Sequence, residues 1–300
     1  MNTTQKIYRS LLALLTLLML GGSLSAGSIK TDGIRSVVLK RNWDFHVYLP
    51  DGYDPSGDRT YPVIYCLHGS GGNEQDWDRA FPLLDTLISQ GLIPPVIAVA
   101  PGSKTSWWVD GVEKFESAFF QDLVPYVEKN YRITGQKESR IITGFSMGGY
   151  GALRYALIHP ELFGGAILLS PALYSELPPL GSSARSSGAF GKPFSEKNWQ
   201  ERNYPQIIDQ YRSAQSPVTI FIAAGDDDWN EPEGSEYNME YQTVILYQAL
   251  NKKMANPSEL RIVNGGHDWK LWLPLFKEGL ILSSRQLTGF RTGIHTQLKQ

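Results

Sequence analysis

One cysteine, Cys66, stands in a chain of 300 residues. It has no partner for an internal disulfide, so no covalent cross-link within the chain holds the fold. Its place in the apolar run PVIYCLH marks it as a small buried hydrophobe. An excess of either charge is also missing. Lys and Arg number 28 against 30 Asp and Glu, a formal net charge of −2. A nucleic-acid partner, which calls for a basic excess, is therefore not expected. The chain shows no internal repeat and no composition break that would split its body in two. Its N-terminal apolar run, Leu11 to Leu20, falls short of the ~20 residues that a membrane-spanning helix needs.

Aromatic side chains are plentiful: eight Trp, fifteen Tyr and twelve Phe. With 42% hydrophobic residues they demand a substantial core or a binding role. The N-terminus has its own character. Lys6 and Arg9 precede LLALLTLLML, and small residues follow in GGSLSAG. That order matches a secretory signal peptide over residues 1–26, cleaved near Ala26. The mature protein is then expected to be secreted or periplasmic, with no stable membrane span. Residues 27–284 make one domain, and the polar stretch 285–300 is a tail.

Short β-prone runs come first, at Ile34–Lys40 and Phe45–Pro50, with RNWD as a hairpin-sized link. Apolar strands then alternate with helices. Strands are expected at Val63–His68, Pro95–Pro101, Gly165–Pro171 and Val218–Gly225, and in RIITGFS and ELRIVNGG. Helices are expected near 75–90, at Phe115–Tyr131 with a kink at Pro125, over MGGYGALRYALI, at Tyr241–Lys252 and over WKLWLPLFKEGLIL. The alternation predicts an α/β fold, with a mostly parallel central sheet, helices on both faces and an antiparallel N-terminal edge. Residues 173–199, rich in Ser, Gly and Pro, are expected to form a lid or a flexible loop.

Gly144-Phe145-Ser146-Met147-Gly148 fits Gly-x-Ser-x-Gly, a serine on a tight strand-to-helix turn. The β-branched lead-in and the Ala/Leu-rich helix after it supply the context this turn needs. The rival dinucleotide fingerprint is out of register here. A serine nucleophile needs a base, because a free hydroxyl attacks poorly near neutral pH. Of five histidines, His267 alone follows the last strand and precedes the last helix. An acid belongs after the strand before it, where Asp226, Asp227 and Asp228 stand in a row. Their spacing is not that of a calcium loop, and neither metal nor cofactor is expected. Developing negative charge needs backbone donors. Met147 N–H, just after the serine, supplies one, and Ser70 N–H in the Gly-rich turn LHGSGGN the other. His68 then stabilises that turn.

LHGSGGN, GFSMGGYGAL, AAGDDDW and GGHDWKLW, in this order, resemble the putative-esterase family of α/β-hydrolases. That family includes S-formylglutathione hydrolase, feruloyl and related carbohydrate esterases, and mycolyltransferases. The resemblance spans about Ile34 to Trp272. It implies a triad of Ser146, Asp228 and His267, since the family's acid stands three residues after a glycine. Asp226 and Asp227 stay open because the run is ambiguous. It also supports Ser70 and Met147 as oxyanion donors. The expected function is an exported serine hydrolase of carboxylic esters. Trp107, Trp108, Trp229 and Trp269 are candidate substrate contacts, for saccharide-linked or aromatic acyl groups. An acyltransferase with a sugar acceptor is the nearest alternative. A non-catalytic binding protein on a hydrolase scaffold is the alternative from another class.

Overall fold

The computed structural model describes residues 26–213, 216–229, 233–254 and 257–284. The expected signal segment, apart from Ala26, and the C-terminal tail lie outside the described residues. Among those described, eight strands form one sheet: β1 Ser28–Ser36, β2 Arg41–Leu49, β3 Val63–Leu67, β4 Ile97–Pro101, β5 Arg140–Phe145, β6 Gly165–Leu169, β7 Thr219–Gly225 and β8 Ser258–Val263. Their order across the sheet is β1-β2-β4-β3-β5-β6-β7-β8. β2 runs antiparallel to β1 and β4, and every other pair is parallel. The expected α/β architecture with an antiparallel N-terminal edge is the one observed.

The α-helices are α1 Phe81–Ser89, α2 Phe115–Ala118, α3 Val124–Asn130, α4 Met147–Ile158, α5 Ser183–Ser186, α6 Glu196–Arg202, α7 Tyr204–Ser213, α8 Met239–Met254 and α9 Trp269–Ser284. Two apolar clusters sandwich the sheet. In β3, Val63, Tyr65 and Leu67 face one cluster, with α4 and α8. Ile64 and Cys66 face the other, with α1 and α9. A strand buried on both faces has no polar side, which is why it reads as a continuous apolar run. No helix among the described residues is long and apolar enough to cross a membrane.

Three local features differ from the sequence reading. The first hairpin turns at 37–40, and Arg41 to Asp44 belong to β2. Side chains stabilise that turn. Ser36 Oγ donates to Asp122 Oδ2 (2.5 Å) and accepts from Leu39 N (2.9 Å), while Val38 N donates to the same carboxylate oxygen (3.0 Å). The apolar look of VVL hid a turn whose hydrogen bonds come from a distant aspartate. Second, a π turn at Phe119–Leu123 separates α2 from α3. Pro125 has no N–H to give to the turn behind it, and the helix widens just ahead of it.

Third, residues 173–199 are packed rather than loose. Tyr174, Ala184, Phe190 and Trp199 are buried. Trp199 stacks on Tyr150 of α4 at 5.7 Å, and its Nε1 donates to Glu176 O. Phe190 meets Trp107 and Trp199 edge-on. α6 and α7 follow, and α7 packs on α4. The buried face of α7, Tyr204, Ile207, Ile208 and Tyr211, has the helical spacing i, i+3, i+4, i+7. Trp199→Ala is expected to cost about 3–5 kcal/mol in denaturant unfolding. It should also open residues 173–203 to limited proteolysis. Wild-type stability in that variant would mean that the aromatic cluster does not anchor the segment.

Candidate active site

In a parallel sheet the loops after the strands gather along one edge, where α/β proteins build their sites. Ser146 follows β5 at φ 54 and ψ −124, a conformation unusual for a residue with a side chain. Its backbone is pinned from both sides. Ser146 N donates to Leu169 O (3.0 Å), and Ser146 O accepts from Gly149 N (2.9 Å) and Ala172 N (2.9 Å). The helix after the serine must pass close to β3. A Cβ on Gly148 would lie 2.1 Å from Leu67 O, so only glycine fits there.

Asp228 is fully buried, and its neighbours explain how a carboxylate tolerates that. Oδ1 accepts from His267 Nδ1 at 2.6 Å. Oδ2 accepts from Ser170 Oγ and from Gly225 N (3.3 Å). Ser170 Oγ accepts in turn from Trp272 Nε1 at 2.8 Å. With Asp228 ionised, the imidazole proton sits on Nδ1 and Nε2 is the basic nitrogen. The His267 ring lies edge-on to Trp229 and Trp272. The other two acids of the run are exposed. Asp226 accepts from Gly265 N (3.0 Å) and so braces the turn that carries His267. The structure thus brings Asp228, of the three, to His267.

Ser146, His267, Ser70 and Met147 all line one cleft of about 370 Å³. The Ser70 turn runs against the serine, since a Cβ on Gly69 would lie 3.4 Å from Ser146 Cβ. His68 holds this turn from within the protein. Its Nδ1 donates to Gly69 O (2.7 Å), and its Nε2 accepts from Ser103 N (2.8 Å). The peptide is planar, so fixing the Gly69 carbonyl also fixes the direction of Ser70 N–H. Burial pushes the His68 imidazole below its ordinary value of 6.5, as its neutral, two-sided role requires.

The four tryptophans separate. Trp107 and Trp229 line the cleft, and Trp229 is 53% exposed. Trp108 is fully buried. Its ring packs on His68 at 5.1 Å and its Nε1 donates to His68 O (3.2 Å), so it supports the turn from behind. Trp269 is absent from the cleft lining and packs on Trp77, Phe145 and Trp272. Sequence reasoning missed Ser170 and Trp272. Ser170 stands directly after β6, a position whose side chain is aimed at the site edge, and that placement was the available signal.

The sheet, the serine turn after β5 and the His–Asp pair beyond β7 and β8 define an α/β-hydrolase. A model of the family described as putative esterase matches residues 36–282, and the chain belongs to that family. Esterase Rv1288 of Mycobacterium tuberculosis is 31% identical over 246 residues, which cover 74% of this chain and 52% of the relative. An endo-1,4-beta-xylanase/feruloyl esterase of Xylanibacter ruminicola is 36% identical over 141 residues, or 43% of this chain and 19% of that protein. The chain therefore spans about half the length, or less, of these curated relatives. Among solved structures, a ferulic acid esterase is 26% identical with a TM-score of 0.71, covering 87% of this chain and 99% of that one.

Two measurements test this geometry. Ser170→Ala removes a donor to a buried charge, which lowers kcat/KM about 10- to 100-fold. The loss leaves more negative charge on the side facing His267. The acid limb of the pH–rate profile then moves to higher pH. A loss of rate with an unmoved limb would make Ser170 merely structural. His68 gives the second test. Its folded-state proton affinity is depressed, so the unfolded chain binds the extra proton between the folded value and 6.5. Its contribution is complete above pH 6.5 and is lost as pH falls below, by up to about 1.4 kcal/mol per pH unit. His68→Gln should flatten that slope in unfolding titrations, and an unchanged slope would contradict the assignment.

Proposed function

We propose that this chain is an exported serine esterase acting on saccharide-linked or aromatic carboxylic esters. The observation that carries the reading is the 2.6 Å contact between His267 Nδ1 and the buried Asp228, in the same cleft as Ser146. Nε2 of His267 takes the Ser146 hydroxyl proton as Oγ bonds to the ester carbonyl carbon. The carbonyl oxygen becomes an oxyanion and accepts from Ser70 N–H and Met147 N–H. The C–O bond to the alcohol breaks, and His267 returns its proton to the leaving oxygen. Water, deprotonated by His267, then attacks the acyl carbon; the C–Oγ bond breaks to release the acid, and His267 returns that proton to Ser146 Oγ. Asp228 keeps the imidazole oriented and stabilises its cation throughout.

Trp107 and Trp229 with Phe145 and Trp272 give the cleft an aromatic lining, suited to a flat acyl group. The likeness to a ferulic acid esterase supports that acyl class. The signal-like pattern of residues 1–26 supports export. A fluorophosphonate probe should label Ser146, and Ser146→Ala should abolish ester turnover. Full activity or full labelling in that variant would refute the proposal. Product analysis with an added sugar acceptor separates hydrolysis from acyl transfer.

A further inference from the structure

Two backbone N–H groups, of Ser70 and Met147, serve the oxyanion in the reaction proposed above. Trp107 reaches both of those residues. Its N donates to Met147 Sδ (3.2 Å), and its Nε1 donates to Ser183 Oγ (3.1 Å), which lies 3.0 Å from Ser70 Oγ. All four residues line the cleft that holds Ser146.

The two residues behind Ser70 are firmly held. Trp107 is buried and meets Tyr150, Phe190 and Trp199 edge-on at 5.3, 5.8 and 5.9 Å. Its φ of 55° is disfavoured for a residue with a side chain and persists only where such contacts impose it. Ser183 opens α5, which Ala184 anchors by burial and Arg185 by donating from Nε to Pro178 O (2.8 Å).

The protons in this chain do not balance its hydrogen bonds. An indole N–H donates and never accepts, whereas a hydroxyl gives one proton and accepts up to two. Trp107 Nε1, Ser183 Oγ and Ser70 Oγ bring three protons to two hydrogen bonds, so one hydroxyl proton is left over. Neither hydroxyl makes another hydrogen bond among the described residues. With Ser70 donating to Ser183, the spare proton is on Ser183. With both hydroxyls rotated, it is on Ser70. Negative charge beside Ser70 selects the second arrangement. The Trp107 N–H, the Ser183 O–H and the Ser70 O–H then all point towards the charge and polarise one another. Ser70 N–H and Oγ belong to one residue, so an oxygen bound at the N–H is within reach of the hydroxyl in either gauche rotamer.

We propose that the Ser70 hydroxyl is a third oxyanion donor, with Ser183 and Trp107 as the positioning residues that aim it. This rests on the serine-esterase reading. The hydroxyl turns from Ser183 to the carbonyl oxygen as that oxygen gains charge, so its contribution belongs to the transition state. Ser70→Ala keeps the backbone N–H at an exposed position and removes only the hydroxyl. On p-nitrophenyl acetate it should lower kcat and kcat/KM together by about 10- to 100-fold, with KM little changed. A trifluoromethyl ketone, which forms a hemiketal oxyanion on Ser146, should lose affinity by a similar factor. The matching methyl ketone, which binds uncharged, should not. Ser183→Ala should lower kcat in the wild-type background and add little in the Ser70→Ala background, since the two act through one hydroxyl. Wild-type kcat in Ser70→Ala would overturn the third donor and leave the esterase reading standing. So would a loss confined to KM, a loss that spares the trifluoromethyl ketone, or an equal effect of Ser183→Ala in both backgrounds. No turnover by the wild type, with Ser146 unlabelled by a fluorophosphonate, would overturn both.

Discussion

A carboxylate without access to water fixes the geometry of this site. Asp228 is 0% exposed, and an unpaired charge there would be strongly unfavourable. Its three hydrogen-bond donors come from the ends of three neighbouring parallel strands: Ser170 after β6, Gly225 at the end of β7 and His267 beyond β8. The need to satisfy one buried group therefore sets the spacing of all three. Trp272 extends the network, since its Nε1 holds Ser170. Its ring stacks on Phe145 at 4.5 Å, and Phe145 is the residue before Ser146. The acid is thus linked to the residue before the serine through packed side chains.

The serine side of the site rests on close backbone approach. Gly144 and Gly148 leave no room for a side chain, and Gly148 sits against the last residue of β3. That contact brings the start of α4 beside the turn that carries Ser70. His68 and Trp108 then hold the turn from inside the protein, through hydrogen bonds on both imidazole nitrogens and on the His68 carbonyl. The Met147 side chain also braces this edge, because its sulfur accepts from Trp107 N. Positive φ at Ser146, Ser170, Trp107 and Trp108 clusters around this one edge of the sheet. Backbone strain of this kind persists only where surrounding contacts over-determine it.

Much of this was legible in the sequence because its signals are local. Buried parallel strands are apolar runs, and the serine turn is a five-residue pattern with a strand before it and a helix after it. His267 was legible from order, since it alone stands between the last strand and the last helix. Asp228 was narrowed by a family pattern, and three adjacent aspartates differ only in which one the chain turns inward. What was not legible depends on distant partners. The hairpin turn at 37–40 is decided by Asp122, more than eighty residues away. Ser170 looks like any serine after a strand until Asp228 is placed beside it. Trp108 and Trp107 are neighbours in sequence and both are buried, yet of the two Trp107 lines the cleft. The packing of residues 173–199 depends on Trp199 finding Tyr150, which no local pattern announces.

The central claim is that Asp228, held by three donors, orients His267 for Ser146. Single Asp→Asn substitutions at 226, 227 and 228, assayed side by side for kcat/KM on one ester, test it most directly. The account predicts a loss of about 10⁴-fold for Asp228→Asn, through the wrong imidazole tautomer. Asp226→Asn and Asp227→Asn should keep most of the activity. Retention in Asp228→Asn, with collapse in either neighbour, would contradict it.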